Sequence, residues 1–219
     1  MQSILSLNQK KILEIISGEK TVCNNFYLTG GTALAEFYLH HRLSEDLDFF
    51  SEEEFDPQSI SVFFKKIQKK AGVKKVSYEQ SFNRNIYILE LENDHIKTEF
   101  TYYPFPRIEV KKKIGDLNID SLYDIAVNKL FTIYQKPRSR DFIDLFCILQ
   151  KNKEWNIDDF ARQAQVKFDH YINPLQLSAQ FVKAEELKDY PRMLIEIKEL
   201  DWQQFFMDKA KELASREIE

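Results

Sequence analysis

Two aspartates, Asp46 and Asp48, stand two residues apart in the run Glu45-Asp46-Leu47-Asp48-Phe49. On an extended strand the side-chain period is two, so both carboxylates face one side while Leu47 and Phe49 face the other. Carboxylates held that close repel each other unless a cation lies between them. A hard divalent ion shared with triphosphate oxygens suits such a pair. Upstream, the apolar run Phe26 to Thr29 ends in Gly30-Gly31-Thr32-Ala33-Leu34. Glycines let the backbone approach a phosphate, and a helix starting there offers unbonded N–H groups and the positive end of its dipole. Thr32 is placed to cap that helix and to give a hydroxyl to a phosphate oxygen. Taken singly, each feature has an ordinary reading as a turn or a solvated strand end. The ordered combination is far more specific.

The elements that must position these residues can be read from the hydrophobic periodicity. Asn8 to Ile16 reads as a helix, Phe26 to Thr29 as a short strand, Thr32 to Leu39 as a helix and Asp46 to Phe50 as a strand. Pro57 opens a helix running to about Ala71. Three strands follow, Val73 to Glu79, Asn85 to Leu91 and His95 to Tyr102, with Asn93-Asp94 as a hairpin turn before the last. In that last strand Ile96, Thr98, Phe100 and Tyr102 share one side, and His95, Lys97, Glu99 and Thr101 the other. From Ser121 onward every segment reads as helix, at about 121–135, 140–150, 157–167, 174–188 and 203–216. The expected fold is α+β: a mixed sheet flanked by helices over residues 1–118, then a helical domain over 119–219.

At Gly30-Gly31-Thr32-Ala33-Leu34 with Arg42-Leu43-Ser44-Glu45-Asp46-Leu47-Asp48-Phe49, the chain resembles the nucleotidyltransferase superfamily that includes DNA polymerase β, and within it the AbiEii-type toxin nucleotidyltransferases. The resemblance implies transfer of a nucleoside monophosphate from an NTP onto an acceptor, with Mg²⁺ as cofactor. It also implies a third carboxylate on a neighbouring strand, facing the same side; Glu99 qualifies. Asp46, Asp48 and Glu99 would then share two Mg²⁺ ions. Arg42 suits either a phosphate or the strand–helix corner, and Ser44 belongs to the same half of the motif. A second motif comes later. Lys129 falls within the apolar stripe Leu122, Ile125, Ala126, Leu130, Ile133, and Asp141 and Asp144 interrupt an otherwise apolar helix. An inward lysine is costly without an anionic partner, so a buried Lys–Asp bridge fits these residues. The resemblance implies instead that Lys129 reaches the NTP phosphates, with Arg140 and Asp141 close by and the helical half completing the nucleotide cleft. It further implies the toxin of a toxin–antitoxin pair, with tRNA 3′ ends as a candidate acceptor and an antitoxin protein as partner. An antibiotic-type small-molecule nucleotidyltransferase and an inactive nucleotide- or antitoxin-binding module are the competing readings.

Composition sets the bounds. In 219 residues, 43% are hydrophobic and 14% aromatic, enough for a sizeable core and against global disorder. The net charge of −4 gives no overall signal of a dedicated nucleic-acid binder. Local clusters at Lys65, Lys66, Lys69, Lys70, Lys74 and Lys75, and at Lys111, Lys112 and Lys113, read as a solvated helix face and a charged turn, or as a docking strip for a polyanionic acceptor. His40, His41, His95 and His170 show no ligand spacing. Residues 1–20 do not read as a signal peptide, and no apolar run approaches the ~20 residues that span a bilayer. Cys23 and Cys147 lack metal-type spacing and read as buried thiols, so a cytoplasmic protein is expected.

Overall fold

The first helix, α1 (Leu7–Ser17), is started by a reciprocal cap: Ser6 Oγ accepts from the Gln9 backbone N–H, and the Gln9 side chain accepts from the Ser6 N–H. Its buried stripe is Ile12, Leu13 and Ile16. The Gln9 amide has a second use. It donates to the carbonyls of both Ser44 and Glu45, at 2.9 Å each, and so holds the segment leading into Asp46. The computed structural model describes residues 3–109 and 112–216. The chain divides into two compact units, Met1–Ser121 and Leu122–Glu219.

In the first unit α1 is followed by α2 (Lys20–Asn25), β1 (Tyr27–Thr29), α3 (Gly30–Leu34) and a π-helical turn (Ala35–Leu39) that His40 ends in the left-handed conformation. Then come β2 (Leu47–Ser51), α4 (Pro57–Ala71), β3 (Lys75–Ser81), β4 (Arg84–Glu90), β5 (His95–Tyr102), β6 (Lys112–Ile114) and β7 (Leu117–Ile119). The strands form one mixed sheet in the order β3-β4-β5-β2-β1-β7-β6. Strands β2 and β5 run parallel, as do β1 and β7, and the other neighbours are antiparallel. One face of the sheet is core. Phe49 stacks on Phe100 with centroids 4.9 Å apart, and Phe26, Phe64 and Tyr87 close around the Phe100 ring. Phe64 comes from α4, which Asp56 caps, Pro57 opens and Gly72 ends at φ 75°. The opposite face carries Thr29, Asp48 and Glu99 side by side, because Thr29 pairs with Asp48 and Asp48 with Glu99.

The second unit contains α5 (Leu122–Gln135), α6 (Ser139–Lys151), α7 (Ile157–Phe168), α8 (Pro174–Val182) with a 3₁₀ turn (Lys183–Glu185), and α9 (Glu199–Ser215). Phe142, Phe181, Trp202 and Phe206 are buried together at its centre. Lys167 and Asp124, both fully buried, join α7 to α5 by an ion pair of 2.8 Å.

Several sequence expectations are corrected. The hairpin β6–β7 falls where a charged turn and the domain boundary were expected, and it extends the sheet by two strands, β7 beside β1 and β6 at the edge. Three-residue strands turning at Gly115-Asp116 carry too few residues for an alternating pattern to register. The short helix α2 also went unread. Helix α3 begins at Gly30 with Thr29 as its N-cap, so Thr32 lies inside the helix and does not cap it. Strand β2 begins at Leu47, one residue after Asp46. The helix expected over 174–188 stops at Val182, and the last helix starts at Glu199. The lysines of α4 and its C-terminal side are largely exposed, with Lys66, Lys74 and Lys75 paired to Glu19, Glu92 and Glu90. Lys111 lies outside the described residues. Among the described residues no helix is long and apolar enough to cross a membrane.

Candidate active site

The glycine pair is required by what presses against it. Gly30 has φ 71°, in the left-handed region, and a Cβ there would lie 2.5 Å from Asp48 Oδ2. A Cβ on Gly31 would lie 2.5 Å from Arg42 Nη2 and 2.9 Å from Ser44 Oγ. The turn at the end of β1 is therefore the point where the Asp48 carboxylate, the Arg42 guanidinium and the Ser44 hydroxyl close on bare backbone. Arg42 is buried, and its Nη1 donates to the Leu43 carbonyl at 2.9 Å. Thr32 is fully buried and its hydroxyl donates to the Asp46 carbonyl, which fixes the start of β2 against α3.

Asp46, Asp48 and Glu99 lie toward one side of the sheet, each beside a cationic or polar neighbour. Lys97 Nζ is 2.9 Å from Asp46 Oδ2. Glu99 is buried and both of its oxygens accept hydrogen bonds: Arg84 Nε donates to Oε1 at 2.6 Å, Arg84 Nη2 to Oε2 at 2.5 Å, and Thr101 Oγ1 to Oε1 at 2.9 Å. Burial pushes the Glu99 carboxyl up, but the hydrogen bonds and charge of Arg84, with Thr101 and Lys97, outweigh it and hold the pKa below the ordinary value. The same contact raises Arg84, to which the charges of Asp48 and Asp46 add. Among the described residues no three His, Cys, Asp or Glu side chains converge into a metal-holding set. Glu99, expected as the third ligand, spends both oxygens on Arg84 and Thr101. Asp46 and Asp48, half-buried beside the glycine turn, supply the hard oxygen donors that fit a divalent cation.

In the helical unit Lys129 meets both acidic residues of α6. Its Nζ lies 2.6 Å from Asp141 Oδ1 and 2.7 Å from Asp144 Oδ2, and all three side chains are buried or nearly so. The i, i+3 spacing puts the two carboxylates on one face of α6. Arg138 Nε donates to Asp141 Oδ2 at 2.9 Å. Burial raises the Asp141 carboxyl, and the charges of Lys129 and Arg138 with the lysine hydrogen bond bring it below its ordinary value. Arg138, which sequence reasoning passed over, takes the place beside Asp141 that was expected of Arg140; no hydrogen bond or ion pair of Arg140 occurs among the described residues. Arg84, Lys97 and Gln9 were also missed.

A mixed sheet with a Gly-Gly turn closing on an Asp-x-Asp pair, and a helical unit after it in sequence, is the arrangement expected of a nucleotidyltransferase. Residues 13–216 match the family described as "Nucleotidyl transferase AbiEii toxin, Type IV TA system", and the chain belongs to that family. It is 36% identical over 151 residues to the uncharacterised protein aq_aa25 of Aquifex aeolicus strain VF5, covering 67% of this chain and 68% of that one. Among solved structures, the fold is similar to a proposed nucleotidyltransferase from Helicobacter pylori, with TM-score 0.62 and 18% identity over 97% of each chain. It is also similar to JHP933 from Helicobacter pylori, with TM-score 0.59 and 19% identity over 95% of this chain and 91% of that one.

Proposed function

We propose that this nucleotidyltransferase is the toxin of a toxin–antitoxin pair and transfers an NMP from an NTP to the hydroxyl of an RNA acceptor, the tRNA 3′ end being the first candidate. The close approach of Asp48 to the Gly30-Gly31 backbone carries the reading, because it sets a carboxylate against a turn that a triphosphate can approach. Asp46 and Asp48 would hold Mg²⁺. The chemistry a divalent cation supplies when bound is neutralisation of phosphate charge and a lowered pKa for the attacking hydroxyl. Arg42, held on Gly31, adds fixed positive charge beside the turn. Lys129, Asp141 and Arg140 are proposed to take part in nucleotide binding. Cys23 and Cys147, both buried and outside any disulfide, fit work in a reducing cytoplasm.

The test is incubation with each labelled NTP, Mg²⁺ and total tRNA. Label in tRNA supports the reading. Label only in small molecules would move the protein to the antibiotic-type class, and no label anywhere would leave an inactive binding module. Growth arrest on expression, relieved by a co-expressed antitoxin, tests the toxin role.

A further inference from the structure

The hairpin joining β3 to β4 turns on two residues, Phe82 and Asn83, between the paired Ser81 and Arg84. Phe82 sits at φ 53°, a left-handed conformation that suits glycine at a two-residue turn. Its ring is 95% exposed. A large apolar side chain with neither burial nor a relaxed backbone gives the fold nothing. The turn is nonetheless held in place: Asn83 Nδ2 donates to the Tyr102 carbonyl at 2.6 Å.

The next residue, Arg84, is fixed along one edge only. Nε and Nη2 are spent on Glu99, while Nη1 makes no hydrogen bond among the described residues and the side chain is 48% exposed. A guanidinium is a planar fork with two usable edges, so the outer one faces solvent with its donors available. A buried glutamate, further tied by Thr101, thus orients a half-exposed cation.

The sheet order places that cation on the far side of Asp48 from the glycine turn. In β4-β5-β2-β1, Asp48 has the Gly30-Gly31 turn on its β1 side, and Glu99 and Arg84 on its β5 and β4 side. A triphosphate taken at the glycine turn leaves the opposite flank for the acceptor.

The geometry points to an acceptor subsite for the single-stranded end of a nucleic acid, in which Arg84, oriented by Glu99, binds a backbone phosphate and Phe82 stacks on a base. Exposed aromatics beside arginines are the usual means of holding unpaired nucleotides. Glu99 is here a positioning residue for Arg84 and not a metal ligand. The inference rests on the proposed transfer to RNA.

The experiment measures total tRNA binding without NTP or metal over a salt series, together with Mn²⁺ binding and Mn²⁺-supported binding of a fluorescent NTP analogue. The proteins are wild type, Phe82→Gly, Arg84→Gln, Glu99→Gln and the Arg84→Gln/Glu99→Gln double variant. Phe82→Gly is expected to weaken tRNA binding about 10-fold, yet to melt no lower than wild type, because glycine fits the turn. Arg84→Gln is expected to weaken tRNA binding by a similar factor and to reduce the salt slope by about 1. Glu99→Gln should reproduce that loss, with no further loss in the double variant and with Mn²⁺ and nucleotide binding retained. Unchanged tRNA affinity in Phe82→Gly and Arg84→Gln, from a protein whose wild type labels tRNA, overturns the subsite alone. Loss of Mn²⁺ binding in Glu99→Gln overturns the positioning role. A wild type that labels no RNA overturns both the subsite and the acceptor reading beneath it.

Discussion

Gly30 and Asp48 are locked to each other: the backbone of one turns through φ 71° where a Cβ would stand 2.5 Å from the carboxylate of the other. Gly30→Ala therefore meets two penalties. The left-handed conformation costs an L-residue about 1–2 kcal/mol, and the added methyl pushes Asp48 off the turn. Urea denaturation should show at least that loss, with nucleotidyl transfer falling more steeply than stability. An alanine variant as stable and as active as wild type would show that the approach is not needed.

Asp48→Asn keeps the shape and removes the charge. If Asp48 holds the cation, Mg²⁺-dependent labelling should fall by about 1000-fold, the equivalent of some 4 kcal/mol of lost charge stabilisation. The melting temperature should move little, since relief of repulsion from Asp46 offsets what is lost. Full labelling by the variant would remove Asp48 from the site.

These two residues were readable from the sequence because their signals are local. A Gly-Gly turn and a period-two aspartate pair each declare themselves within five residues. Their neighbours could not be read in the same way. Arg84 finds Glu99 fifteen positions away, Gln9 finds the Ser44 carbonyl thirty-five away, and Lys97 finds Asp46 fifty-one away. Each pairing depends on strand register or on a helix docking, which the local pattern does not encode. Lys129 shows both sides of this. Its place in an apolar stripe was visible, and so was its need for an anion. That two carboxylates answer it, with Arg138 behind one of them, follows from how α5 meets α6.

The pH dependence follows from two depressed carboxyls. Glu99 and Asp141 both ionise below their ordinary values when folded, despite burial, because of Arg84 in one case and Lys129 with Arg138 in the other. Such groups stabilise the fold fully above their unfolded pKa, about 4, and lose that contribution as pH falls through the folded value. Stability should be level from about pH 7 to 5 and decline below about 4. Arg84→Gln should flatten part of the acid limb, because Glu99 then loses the partner that lowers it. An unchanged limb would mean that the pair does not couple to folding.

Removing Lys129 should reverse the sign. In the folded helical unit its ammonium is within 2.7 Å of both Asp141 and Asp144, whose side chains are at most 1% exposed. Lys129→Ala strands that negative charge, and breaking a buried pair of this kind costs about 3–5 kcal/mol. Burial then acts on Asp141 with only Arg138 to offset it, so its pKa should rise above the unfolded value. A raised carboxyl penalises the fold above the unfolded pKa and ceases to do so below it. The variant should therefore gain stability on going from pH 7 toward 5, where wild type is level. Denaturation at the two pH values reads the difference directly. NTP affinity, measured on the variant where it is folded, separates the second role proposed for this lysine. A variant that melts like wild type yet no longer binds nucleotide would assign the ammonium to the triphosphate, whereas one that unfolds easily but binds nucleotide when folded would assign it to the Asp141–Asp144 pair.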